Sequence, residues 1–429
     1  MDFSSSERSL DLAQRVRDFV DTEVEPAERV LAQDIARRRA AGEDPWPAHP
    51  LLAELQAKAR DRGLWNLFLP TGHEGPYAVQ FGTDGGAGLS NVDYAPIAEA
   101  MGRSFSAPLV FNCNAPDTGN MEVLLKYGTD EQKSEWLEPL LDGRIRSAFL
   151  MTEPGVASSD ATNMEATAVI DGDEVVLNGR KWWSTGVGNP DCKVAIFMGV
   201  TDPEASRHSR HSMVLVPFDH PGVRVERMLS AFGQHDEPIG HGEVSLTDVR
   251  LPVTNVIAGP GRAFEIAQGR LGPGRVHHCM RLIGLAEKAL ELACERATTR
   301  TAFGKPLANL GGNRERLAQA RIAINQARLL VLHAAWKLDT VGAFGAMSEV
   351  SEIKVAVPRM ACDVIDMAIQ LHGGAGMSED FPLSAAYANA RSLRLADGPD
   401  EVHLGVVAKI LLAPYAERAS HADGQATRS

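Results

Sequence analysis

Apolar side chains recur at helical spacing from the start of the chain. Leu12, Val16, Phe19, Val20 and Val24 fall on one face of a helix, and Pro26 is expected to end that run because its ring removes a backbone donor. Helical stretches are expected to continue to about residue 146, interrupted by a glycine-rich loop, Gly82-Thr-Asp-Gly-Gly-Ala-Gly88. The pattern then shifts to short β-rich runs at 166–170, 174–177, 194–200, 213–217 and 223–225, separated by turns such as Asp171-Gly-Asp173. These runs describe a small β domain that ends near Leu251-Pro252. From about Ala263 the helical period returns in long segments, 263–299, 314–340 and 348–371, whose natural packing is a bundle of antiparallel helices. From Glu417 the chain is polar and small and is expected to fray. The reading is an α+β chain, mainly α. It has a helical N-terminal domain over 1–146, a middle β domain over 147–257, a helical bundle domain over 258–416 and a tail over 417–429.

Composition narrows the function. At 429 residues the chain is long enough for two or three domains, and 44% hydrophobic with 23% charged residues is ordinary for a globular protein. A formal charge of −13 argues against a nucleic-acid or anionic-membrane surface, and no apolar run approaches a membrane span. The opening Met1-Asp-Phe-Ser-Ser-Ser-Glu7 lacks a basic start and an apolar core, so no signal peptide is expected and a cytoplasmic location follows. Cysteines 113, 192, 279, 294 and 362 are scattered, without a CxxC pair, as reduced thiols would be. There is no GxGxxG after a strand and no Walker loop; Gly259-Pro-Gly-Arg-Ala-Phe264 echoes one without βαβ context, so no Rossmann crevice is expected.

Two short segments carry the chemistry. Met151-Thr-Glu-Pro-Gly-Val-Ala-Ser-Ser-Asp160 is rich in turns, small hydroxyls and backbone N–H groups, which bond carbonyl and phosphate oxygens. Asn178-Gly-Arg-Lys-Trp-Trp-Ser-Thr185 sets the indole of Trp183 two residues from the hydroxyl of Thr185, on one face of an extended strand. A flat heteroaromatic ring that needs both stacking and hydrogen bonds can dock on such a pair. His241, His277, His278 and His403 have no carboxylate or cysteine at ligand spacing, so no metal is expected and packing or pocket polarity is their reading. His241, in Gly240-His-Gly242, would border the pocket.

Together with Arg300-Thr-Ala-Phe-Gly304, Gln370-Leu-His-Gly-Gly-Ala-Gly376 and Asp397-Gly-Pro-Asp-Glu401, these segments resemble the acyl-CoA dehydrogenase family over nearly the whole chain. The runs 269–281 and 395–403 are similar to the branch of family members ten and eleven, in the dehydrogenase part only; no counterpart of their upstream kinase-like region is read. The resemblance implies an acyl-CoA dehydrogenase-like fold: helical domain, β-barrel-like middle domain, C-terminal four-helix bundle. It implies FAD laid between β domain and bundle, an acyl-CoA substrate, electron-transfer flavoprotein as acceptor, and a homodimer or homotetramer whose subunits share the cofactor.

Carried over residue by residue, the resemblance sets Phe149, Met151 and Thr152 along the isoalloxazine edge and Trp183 and Thr185 beside the flavin. Ser159 sits where the family has a serine near the pyrophosphate and the pantetheine arm; Val156-Ala-Ser-Ser159 is one residue longer than the commoner ending, which leaves Ser158 or Ser159 as the contact. Arg300 and Phe303 match a pair that reaches a neighbour's FAD, although Ala302 replaces a family threonine and Gly311 a family glutamine. Gln370, Gly373 and Gly374 match the turn at the cofactor's other end, Pro399 and Glu401 are placed with the cofactor, and Gly398 with the substrate. Arg275 either helps hold the acyl-CoA site or pairs within its own helix; Gly274 closes the alternative of a base on that helix.

The chemistry needs a carboxylate that removes the α-proton of a thioester while the flavin takes the β-hydride. Most relatives use a glutamate before a glycine; the match in this chain is Asp397-Gly398, with Glu401 as the competing carboxylate and helix capping as the bland role of Asp397. The Asp397 N–H would also polarise the thioester carbonyl. The product would be a trans-2,3-enoyl-CoA. Two other readings stand: a flavin oxidase of the same fold, similar to nitroalkane oxidase with its aspartate base, and a catalytically idle FAD-binding scaffold.

Overall fold

The computed structural model of the protein describes residues 2–69 and 88–426. The glycine-rich loop expected over 82–88 lies outside them except for Gly88, as do the last three residues of the expected tail. The chain divides into two compact units, Ser4–Gly274 and Arg275–Ser429, the latter with the few residues before Ser4.

The first unit opens on helix α1, Glu7–Phe19, capped by the Ser6 side chain, which accepts from the Ser9 N–H at 3.2 Å. Leu12, Val16, Phe19, Val20 and Val24 are all buried, as their spacing requires, and each large apolar side chain so buried contributes about 1.5–3 kcal/mol. Pro26 does not end the helix. A π-turn over Val20–Val24 leads directly into α2, Glu25–Ala41, with Pro26 in its first turn. An N–H is not required in a first turn, and proline's fixed φ suits it. Helices α3 (Pro50–Asp61), α4 (Asn91–Met101) and α5 (Asp117–Tyr127) follow.

The strands are β1 (Arg146–Leu150), β2 (Thr167–Asp171), β3 (Glu174–Thr185), β4 (Cys192–Val200), β5 (His211–Pro217), β6 (Val223–Leu229) and β7 (His241–Pro252). They form a seven-stranded mixed sheet in the order β1-β4-β2-β3-β7-β6, with β5 on β4. Its buried face is built by Leu150, Leu177, Phe197, Val216, Val244 and Leu246, among others. Neither β1 nor β7 is among the strands read from the sequence. In β7 the alternation Val244, Leu246 breaks at two successive exposed residues, Thr247 and Asp248, before Val249 and Leu251 resume it. Asp248 has φ +44° and its N–H bonds to the Asn178 side chain at 2.8 Å, the mark of a bulge. Helix α5 anchors β1: Asp117 accepts from the Ser147 N–H (2.8 Å) and hydroxyl (2.6 Å), and the Asn120 amide donates to the Ala148 carbonyl at 3.0 Å.

Helix α6, Ala263–Thr299, runs into the second unit. There α7 (Asn313–Gly345), α8 (Met347–His372), α9 (Leu383–Ser392) and α10 (Asp400–Ala426) follow. Helix α8 packs against α7, α9 and α10, burying Val350, Ile353, Val357, Val364, Ile365 and Ala368. Glu287 on α6 pairs with Arg321 (2.7 Å) and Arg328 (2.5 Å) on α7. All five cysteines are free thiols. No helix among the described residues is long and apolar enough to cross a membrane.

Candidate active site

In the first unit β1 delivers half-buried Phe149, and the chain then turns through half-buried Met151 and Thr152. A buried ion pair holds this turn. The fully buried Lys181 ammonium donates to the Met151 carbonyl (2.9 Å), to Glu153 Oε1 (2.7 Å) and to the Met198 carbonyl (2.7 Å), so all three of its protons are used. Glu153 also accepts from the N–H groups of Glu165 (2.8 Å) and Ala166 (3.1 Å). Burial pushes Lys181 down to about 8, against the pull of Glu153. Both residues lie inside the two informative segments, yet sequence reasoning passed over them, because nothing in a linear sequence says that a lysine beside two tryptophans points inward. The Trp182 N–H donates to the Thr152 carbonyl at 2.9 Å and ties the two segments together.

The alternative between the serines has a structural difference. The Ser158 hydroxyl accepts from the Glu153 N–H at 2.9 Å and donates to the Glu153 carbonyl at 3.4 Å, within the turn, whereas Ser159 is exposed.

Trp183 does not lie in a regular strand. Its φ is +51°, and between Lys181 opposite Val244 and Ser184 opposite Gly242 the β3 side carries one residue too many. The bulge turns Lys181 and Ser184 into the core and leaves Trp183, 42% exposed, on the outer side with Thr185. The Thr185 hydroxyl lies 2.9 Å from His241 Nδ1, and His241 Nε2 lies 2.8 Å from Asp236 Oδ2. The Trp183 and His241 rings are 6.0 Å apart.

In the second unit Asp397 occupies a left-handed turn, φ +57°, before α10. Its carbonyl accepts from Arg275 Nε at 3.0 Å and faces His403 Nε2 at 3.2 Å; its carboxylate lies 3.5 Å from His278 Nε2. Arg275 thus reaches across 122 residues instead of pairing within its helix. Gly398 has φ +105°, and a Cβ there would meet His403 Nε2 at 2.9 Å, so only glycine is accommodated. Lys354 donates to the carbonyls of Leu393 (2.5 Å) and Gly398 (3.3 Å). The Pro399 carbonyl accepts from the N–H groups of Val402 and His403, which makes Pro399 the residue just before α10 and leaves Asp397 two residues before Pro399. Asp400 is buried under Arg359 (3.0 Å) and Arg394 (2.7 Å); burial opposes its charge, but those two arginines hold the carboxyl below its usual range. Glu401 is exposed.

Burial pushes His277 down to about 3 and, with the charges of Arg275 and Lys354, His403 to about 4. Both are neutral in the folded protein where the unfolded chain would already be protonated. Stability should therefore fall as pH drops from the unfolded value near 6.5 toward 4, by about 1 kcal/mol per pH unit for each histidine. Urea unfolding at a series of pH values checks this; an unchanged slope in His277→Leu would refute it.

Arg300 is exposed and enters a hairpin, β8 (Thr301–Ala302) and β9 (Lys305–Pro306), whose tip is Phe303-Gly304. Both tip residues have positive φ, +49° and +75°, and Phe303 is 93% exposed. Gln370 is exposed at the end of α8, and Gly373, at φ +65° and ψ −140°, and Gly374 are also exposed. Among the described residues no group of three or more His, Cys, Asp or Glu side chains is arranged to hold a metal.

Known families match the chain in three consecutive blocks: acyl-CoA dehydrogenase N-terminal domain over residues 6–144, middle domain over 148–249 and C-terminal domain over 261–412. The chain is 50% identical over 414 residues to the probable acyl-CoA dehydrogenase FadE2 of Mycobacterium tuberculosis, covering 96% of this chain and 97% of that one. It is 54% identical over 409 residues to acyl-CoA dehydrogenase family member 11 of Gallus gallus, covering 95% of this chain and 51% of the relative. It thus spans about half the length of that curated relative. Among solved structures, a proposed acyl-CoA dehydrogenase from Mycobacterium abscessus superposes with a TM-score of 0.91 at 66% identity, covering 96% of this chain and 100% of that one.

Proposed function

The chain belongs to the acyl-CoA dehydrogenase family, and from that premise we propose that it is an FAD-dependent acyl-CoA dehydrogenase with Asp397 as its base. The observation that carries this reading is the Asp397 turn. A carboxylate just outside a helix start sits on a backbone fixed by Arg275 and the imidazole of His403, beside a glycine that no other residue can replace.

The residues fit the cofactor. A flavin needs an accessible aromatic plane, hydroxyls and close backbone approach. Trp183 is 42% exposed beside Thr185, Thr152 and exposed Ser159 stand on the same unit, and the second unit offers Arg300, Phe303, Gln370 and the bare backbone of Gly373 and Gly374. Bound FAD would supply the hydride acceptor. The Asp397 carboxylate takes the α-proton, and its N–H, held in a rigid turn, is the donor for the thioester oxygen as negative charge develops there. Met151, Thr152 and Phe149 line the ring edge, Ser159 the pantetheine arm, and Arg275 acts on the substrate through the Asp397 turn. Gly398 gives the acyl group room, and Pro399 and Glu401 stand toward the cofactor. The product is a trans-2,3-enoyl-CoA, and electrons leave to an electron-transfer flavoprotein. The formal charge of −13 accords with a cytoplasmic enzyme.

Anaerobic titration of the purified protein with a panel of acyl-CoA thioesters tests this. One FAD per subunit should bleach with at least one thioester, and Trp183→Ala should weaken FAD binding by about 3–10-fold through loss of the stacking plane. Rapid oxygen consumption without a thioester would replace the reading with an oxidase, and no bleaching by any thioester with an idle scaffold.

The same reading includes a symmetric homodimer or homotetramer. Phe303 at 93% exposure, with Leu411 at 63% and Tyr415 at 62% on α10, are large apolar groups of the kind that partners cover. Light scattering should give two or four subunits; a stable FAD-saturated monomer would exclude it.

A further inference from the structure

The hydrogen-bond chain from Asp236 through His241 to Thr185 has a direction. A carboxylate oxygen accepts, so the 2.8 Å contact to Asp236 calls for an imidazole N–H at Nε2. In the tautomer with its one ring proton on Nε2, Nδ1 is a lone pair, and at 2.9 Å it accepts the Thr185 hydroxyl proton. Thr185 is left with oxygen lone pairs facing outward beside Trp183, and with no proton to offer. The register supports the same geometry: Thr185 lies directly opposite His241 in the β3–β7 ladder, and the Trp183 bulge sets the indole 6.0 Å from the imidazole.

We propose that His241 is a positioning residue which, oriented by Asp236, makes the Thr185 hydroxyl an acceptor toward the bound cofactor and thereby favours the reduced flavin over the oxidised one. The proposal rests on the reading that Thr185 flanks an FAD. The chemistry is that of the ring edge. Oxidised isoalloxazine presents only acceptors at N5 and O4, which an accepting hydroxyl cannot serve. Two-electron reduction with proton uptake adds an N5–H donor, which it can. A threonine free to rotate would donate to the oxidised ring and accept from the reduced one, without preference. The relay removes the first option.

The test is the midpoint potential of the flavoprotein, by dye equilibration, together with the dissociation constant of oxidised FAD. His241→Phe keeps a ring beside Trp183 but frees the Thr185 proton. Oxidised FAD should then bind more tightly relative to reduced FAD by up to about tenfold, lowering the two-electron potential by up to about 30 mV. Asp236→Asn should shift the potential in the same direction, since an amide can donate to Nε2 and move the ring proton to Nδ1. In a Thr185→Val background neither change should have further effect. Potentials unchanged in both variants, or shifts that persist without the threonine hydroxyl, would overturn the proposal. A protein that binds no FAD would instead overturn the functional reading on which it stands.

Discussion

Asp397→Asn should leave acyl-CoA binding intact and slow reduction of the bound flavin by about 10²–10⁴-fold, because the amide keeps the shape of the side chain and loses the proton acceptor. The surroundings make this a clean substitution. The contacts that fix the turn, from Arg275 and His403, go to the main-chain carbonyl of Asp397 and survive the change. The neighbouring carboxylates are poor substitutes. Asp400 is buried beneath Arg359 and Arg394, and Glu401 is exposed on the first turn of α10. Asp397→Glu should retain part of the rate with altered substrate preference, since the carboxylate advances by about one bond along the acyl chain. Glu401→Gln is the control and should retain proton abstraction. Stopped-flow reduction rates decide the matter: a wild-type rate in Asp397→Asn with a dead Glu401→Gln would transfer the role to Glu401.

The long helices were legible because their apolar faces repeat over many turns. The expected 314–340 and 348–371 appear as Asn313–Gly345 and Met347–His372. Pro26 misled because a proline in a linear pattern reads as a stop, and the π-turn that relocates it to a first helical turn has no sequence signature. What the sequence hides in the candidate site are the contacts that depend on distant partners. Regular alternation would place Lys181 on the same face as Trp183 and Thr185; the bulge at Trp183 sends it into the core instead. Asp236 and His241 are separated from Thr185 by more than fifty residues and meet it only because β3 pairs with β7. The difference between Ser158 and Ser159 likewise appears only in the turn, where the first hydroxyl bonds Glu153 and the second is exposed.

Lys181→Met should be among the most destabilising single changes in the first unit. Methionine replaces the apolar stem of the side chain but lacks the terminal ammonium and its protons. The carbonyls of Met151 and Met198 lose their donor, and Glu153, 4% exposed, is left with a buried charge and only two N–H partners. Removing one partner of a buried ion pair costs about 3–5 kcal/mol, a large share of a typical 5–15 kcal/mol of total stability. The damage falls on the turn that carries Met151 and Thr152, so FAD affinity should drop along with stability. Glu153→Gln in the same chain should recover part of the loss, because it removes the unpaired charge while its amide oxygen still accepts from a backbone N–H. Urea unfolding of the two variants and the wild type reads the effect directly. If Lys181→Met unfolds within about 1 kcal/mol of wild type, or if Glu153→Gln deepens the loss, then the pair is not what holds this turn.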